Sequence, residues 1–254
     1  MVVGGVFSGA YSHLYRRSGR HLLEAGLSGL LFPILAVLVP FVAVMVTSDV
    51  IARKRQSGSI KVVLGLPYAR LDLVVGSFVG RTALMSGAIL SMAIVSGTIT
   101  AVQIGVEGIH SIVGLFALTM LLSAVFVAIA VGISAASLSP TRASASAVVV
   151  SACFVFQFWA IVPYSAEYVR NGFQLPERLP EWGLLWNSVN PVVAYQRAAI
   201  GVIPDLAGLP LLSPIPATAP YYFYPEFAVA VLFGWILLSL SLGLGYLRFR
   251  SSDL

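Results

Sequence analysis

The residues in this chain whose types could support covalent chemistry are few, and their spacing gives them little to work with. Gly26-Leu27-Ser28-Gly29 sets a serine among glycines, as a site that exposes a nucleophile would, but such a serine needs a base within hydrogen-bond reach. The histidines are His13, His21 and His110, and none lies deep inside a later apolar segment, His110 standing at the very start of one. Gly26, Ser28 and Gly29 are read more simply as small residues that let helices approach closely. Met85 and Met92, seven apart, could share a helix face and offer soft thioethers to Cu(I), although methionine in such a segment ordinarily fills space. Cys153 is the single cysteine, so neither an internal disulfide nor a multi-cysteine metal site can form, and no metal site is expected. A phosphate-binding loop would read Gly-x-x-x-x-Gly-Lys-Ser/Thr. The two lysines, Lys54 and Lys61, follow Arg53 and Ile60, so ATP, if it is used, is bound by another subunit.

The elements around these residues are set by composition. Of 254 residues 58% are hydrophobic and 10% charged, which lies outside the range of soluble domains and reads as an integral membrane protein. The net charge of +5 does not point to nucleic acid, because the bases cluster at the ends of apolar segments instead of forming one stripe. A helix crossing roughly 30 Å of hydrocarbon needs about 20 apolar residues. Residues 25–48, 82–102, 109–138, 143–164 and 226–247 meet that length and are apolar on every side, so an all-α membrane fold of at least five spans, forming one domain over 1–254, is expected. Those spans hold almost no charge, which argues against ion-coupled transport. Asp49 and Arg81 stand at span edges as anchors, with a latch to a helix end or a partner carboxylate as the functional reading of Arg81.

Arg53, Lys54, Arg55, Lys61 and Arg70 fall between the first two spans, which places residues 51–72 in the cytoplasm and, counting onward, the Arg248–Arg250 tail there too. Arg16, Arg17 and Arg20 fit this scheme badly, since they precede the first complete span and fall outside. The outer segment 165–225 is rich in proline but carries aromatic residues suited to the headgroup level, among them Trp182, Trp186, Tyr195 and Tyr221 to Tyr224. Within it Asn190-Pro191 predicts a helix start, with Asn capping amides and Pro occupying the first turn, and a short helix from Pro191 to about Gly201 on the outer surface.

The segment 51–72 has a design of its own. Ser57-Gly58-Ser59 is a break with a capping residue. Ile60, Val63 and Leu64 follow at helical spacing, Gly65 and Pro67 end that turn, and Leu71, Val74, Val75, Phe78 and Val79 form an apolar stripe leading into the membrane.

The order of a basic cluster, Ser57-Gly58-Ser59, an apolar turn, Leu64-Gly65-Leu66-Pro67 and Tyr68-Ala69-Arg70 resembles the cytoplasmic signature of ABC-2 type transporter permeases. Asn190-Pro191-Val192 is similar to that family's motif before the last span, with Tyr195 one turn on, and Gly245 to Leu254 to its basic ending. The resemblance runs from about Ala25 onward. It implies a permease subunit, not an enzyme, of a multi-pass cell-membrane exporter that pairs with a second permease half and with cytosolic ATPase subunits. Arg53, Lys54, Arg55, Gly58, Ile60, Val63, Leu64, Pro67 and Arg70 would then form the coupling element seated in the ATPase, with ATP bound there and no cofactor in this chain. Two departures stand out: no acidic residue lies among the bases from Ala52 to Ser57, and five spans are counted where the family has six, so that residues 1–11 read as the end of a truncated first span. The rivals are a membrane anchor that transports nothing and, more remotely, an intramembrane serine protease of rhomboid-like type using Ser28. The lack of charge in the spans favours an apolar or amphipathic cargo.

Overall fold

The computed structural model describes residues 26–56, 70–103, 105–106, 109–174, 176, 179–203, 206 and 219–249. Among these residues the chain is helical, with no strand. The helices are α1 (Gly26–Thr47), α2 (Val50–Gln56), α3 (Arg70–Gln103), α4 (Ile109–Ala136), α5 (Pro140–Val155), α6 (Ile161–Arg170), α7 (Glu181–Ser188), α8 (Pro191–Val202) and α9 (Pro225–Phe249). Among the described residues four stretches are long and apolar enough to cross a membrane, at Leu27–Lys54, Leu71–Val102, Ile109–Ala136 and Pro225–Tyr246, and a fifth results if a bent pair counts as one span.

The bundle is built around α4. Of its most apolar stretch 72% is buried, against 22% for α3 and α9, so α4 is the central rod and the others shield it from lipid. A helix apolar all round is stable only in such a place. Close approach is set by glycine: a Cβ on Gly132 of α4 would lie 2.7 Å from the Ser239 carbonyl oxygen of α9, and one on Gly243 would lie 3.1 Å from the Gly132 Cα. At that contact the backbones of α4 and α9 touch directly, as small residues allow between membrane helices. Because α9 meets α4 there, both run toward the same end of the bundle. That end carries Arg53 and Lys54 on α2 and Arg142 on the first turn of α5, and is called the basic end below.

Two expectations change. The apolar run 143–164 reads as one straight span, but α5 stops at Val155 and the helical residues Phe158–Arg170 leave it at 72°. Gln157 adopts a left-handed conformation, φ 61°, which a non-glycine residue takes only where neighbours compensate for it. The compensation is tertiary and therefore invisible to a reading of apolar length. The Trp159 and Trp186 rings stack at 4.4 Å, Trp159 Nε1 donates to the Trp186 carbonyl at 2.8 Å, and Trp186 Nε1 donates to the Trp159 carbonyl at 2.9 Å.

The second change concerns α8, expected to lie on the outer surface. Its faces Val192, Ala194, Tyr195, Ala198 and Ala199 are instead buried, and it packs against α4 and α9. Gly201 abuts the Pro225 ring at the start of α9, while the Trp235 indole donates to the Val189 carbonyl at 2.8 Å. Ten residues of α9 separate those contacts, about 15 Å at 1.5 Å per residue. Residues 181–202 thus form a re-entrant hairpin whose tip, at Val189 and Asn190, is sunk among the spans.

Candidate functional site

At the basic end, α1 passes into α2 through a turn at Ser48 and Asp49. A helix start leaves amides without intrahelical acceptors, and at α2 two of them take a side-chain partner. Ser134 on α4 supplies it across the fold: its Oγ accepts from the Ile51 amide at 3.1 Å and from the Ala52 amide at 3.2 Å, both residues being fully buried. The Ser48 hydroxyl reaches the Ser144 hydroxyl of α5 at 3.0 Å. The short helix is thereby pinned to the last turns of α4 and the first turns of α5. Leaving the two amides unpaired is expected to cost about 2 kcal/mol. Ser134→Ala should therefore lower the thermal unfolding midpoint of the purified chain in detergent, whereas Ser144→Ala, which removes one partly exposed hydroxyl, should lower it less.

The sequence-predicted coupling residues divide accordingly. Arg53 is exposed and pairs with Asp49 one turn earlier. An acid therefore stands beside the basic cluster, although none occurs between Ala52 and Ser57. Lys54 lines a cavity of ≈ 470 Å³ between α2 and α3, together with Asp72 and Arg81. Arg55 lies on α2 and Arg70 opens α3, while Gly58, Ile60, Val63, Leu64 and Pro67 lie outside the described residues. Arg81 sits eleven residues into a helix that begins at Arg70 rather than at the edge of a shorter span starting at Thr82.

At the hairpin tip, Asn190 does what its position ahead of Pro191 predicts: its Oδ1 accepts from the Val192 amide at 2.8 Å and the Val193 amide at 3.4 Å. Its Nδ2 also donates to the Phe154 carbonyl at 3.1 Å, one of the acceptors left over where α5 breaks. One fully buried side chain therefore caps the hairpin helix and ties it to the interrupted span. Tyr195, expected at the headgroup level, is buried instead, stacked on Phe32 of α1 at 5.4 Å with its hydroxyl 3.0 Å from Thr119 Oγ1. Arg197 is a further member that the motif reading passed over. It donates to Ser188 Oγ and to the Tyr222 carbonyl (2.9 Å) and lies over the Phe223 ring at 4.1 Å, bracing α7, α8 and the turn before α9. Its signal was its place on the helix that Asn190 starts, two positions after Tyr195.

Among the described residues the rival chemistries find no constellation, while His13 and His21 lie outside them. His110 is exposed at the start of α4, where its ring lies 3.3 Å from the Ser111 hydroxyl. Met85 is buried and Met92 exposed, so they do not present one thioether pair, and among the described residues no group of His, Cys, Asp or Glu is placed to hold a metal ion.

Membrane-length helices around a buried core, a re-entrant hairpin before the last span and a basic element between the first two are features of a permease. A family model described as an ABC-2 family transporter protein matches residues 5–254. The chain belongs to the ABC-2 transporter family. No curated protein matches it well enough to add a second comparison. Membership makes this permease a multi-pass membrane subunit of an ABC transporter, a kind of subunit that works with an ABC ATPase subunit and has no ATPase site of its own.

Proposed function

We propose that this permease exports its substrate by alternating access, driven by ATP bound and hydrolysed in a separate cytosolic subunit. The observation that carries the reading is the pinning of α2: Ser134 and the Ser48–Ser144 contact join the helix bearing Arg53, Lys54 and Arg55 to α4 and α5. A push on residues 51–72 by a closing ATPase is then delivered to two spans at once, as a rigid lever requires. In this reading Gly58, Ile60, Val63, Leu64, Pro67 and Arg70 seat in the ATPase, the basic end and the C-terminus face the cytoplasm, and two permease halves, identical or different, enclose the path. The chain needs no cofactor itself, and the scarcity of charge in its spans favours an apolar or amphipathic cargo.

The test uses Leu64→Asp and the pair Pro67→Ala with Arg70→Glu. Each should abolish co-purification with the cognate ATPase, or stimulated ATP hydrolysis, while membrane insertion stays normal. Unchanged co-purification and hydrolysis would remove the coupling assignment.

A further inference from the structure

The cavity between α2 and α3 shares Lys54 with the coupling element, but its α3 wall has no part in the coupling reading. One wall is a single stripe of α3 in which Asp72, Leu73, Gly76, Ser77, Gly80, Arg81 and Leu84 recur at helical spacing, and Lys54 of α2 stands across from it. We infer that this cavity binds the headgroup of an anionic phospholipid, a phosphodiester held by Arg81 and Lys54 with an acyl chain running past Leu84.

The length of α3 supports this placement. Its 34 residues extend about 51 Å, some 20 Å more than the roughly 30 Å hydrocarbon core. The charged residues Arg70, Asp72 and Arg81 all lie in its first twelve positions, so the surplus projects at that end and Arg81 marks the boundary between headgroups and hydrocarbon. A phosphodiester belongs at that level. Among the described lining residues cations outnumber carboxylates, Lys54 and Arg81 against Asp72, which suits an anionic group. Gly76 and Gly80 have nothing within 4 Å of a notional Cβ, so the groove is open where a headgroup would lie. Beyond Leu84, itself half-exposed, the outward residues Leu90, Ile94 and Val95 continue an apolar track suited to an acyl chain.

The experiment uses the full-length permease in delipidated detergent micelles, titrated with phosphatidylglycerol, phosphatidylcholine or inorganic phosphate, and read by native mass spectrometry and thermal unfolding. Phosphatidylglycerol should give a retained one-to-one adduct and raise Tm by about 5 °C at roughly a hundredfold excess over Kd. Arg81→Gln should weaken retention about tenfold or more. Gly80→Leu fills open space and improves helix propensity, so it should fold normally yet lose the adduct. Equal retention of phosphatidylcholine, stabilisation by inorganic phosphate to the same degree, or an undiminished adduct in both variants would overturn the site.

Discussion

Asn190→Ala should destabilise the permease by about 2–3 kcal/mol and uncouple the re-entrant hairpin from the interrupted span. Loss of the cap on α8 contributes about 1 kcal/mol, and loss of the bond to the Phe154 carbonyl, which keeps weaker contacts from the Phe156 and Gln157 amides and the Gln157 side chain, adds about 1–2 kcal/mol. The two parts can be separated. Asn190→Ser restores an oxygen for the Val192 amide but cannot span to Phe154, so it should recover only the smaller share. Chemical denaturation in detergent reads the stability, and substrate-stimulated ATP hydrolysis of the assembled transporter reads the function. A midpoint for the alanine variant indistinguishable from the parent would show that the hairpin tip is held by other contacts, such as the Trp235 bond to Val189.

Gly132→Leu should be more damaging still, giving little or no folded protein in the membrane. An alanine Cβ at that position would already stand 2.7 Å from a backbone oxygen on α9, and the opposing Gly243 leaves no flexible side chain to give way. Overpacking of this kind typically costs about 1–3 kcal/mol where side chains can rearrange, and here the backbones themselves would have to part. The internal control is Gly87→Leu on α3, where nothing lies within 4 Å and accumulation should match the parent. Fluorescence-detected size-exclusion profiles of the two variants, expressed side by side, are sufficient to compare them; equal monodisperse peaks would mean that α4 and α9 are not sealed at Gly132.

These two glycines show how far the sequence alone could be read. Both sit in long apolar runs, and nothing in either run separates a glycine sealed against another helix from one facing open space. The spans were legible because length and apolarity are summed over some twenty residues, which no single contact overturns. The cap at Asn190 was legible because capping is local: the side chain serves amides two and three residues away. What was hidden depends on partners remote in the chain. The break at Gln157 rests on Trp186, 29 residues on, the start of α2 is capped from Ser134, more than 80 residues on, and the depth of Tyr195 is decided by Thr119 and Phe32. The basic segment stands between these cases. Its charge marked one end of the bundle, and the pairing of Arg53 with Asp49 joins it to the span edge where Asp49 was read as an anchor.

The paired indoles of Trp159 and Trp186 have a use beyond holding the break. Face to face at 4.4 Å, with each N–H fixed to the other residue's carbonyl, they form one coupled chromophore across the joint between the interrupted span and the hairpin. Any motion that draws the hairpin away from α5 must unstack them. The native protein thus carries its own optical strain gauge, and near-ultraviolet circular dichroism can follow the far end of the bundle during turnover without an attached label.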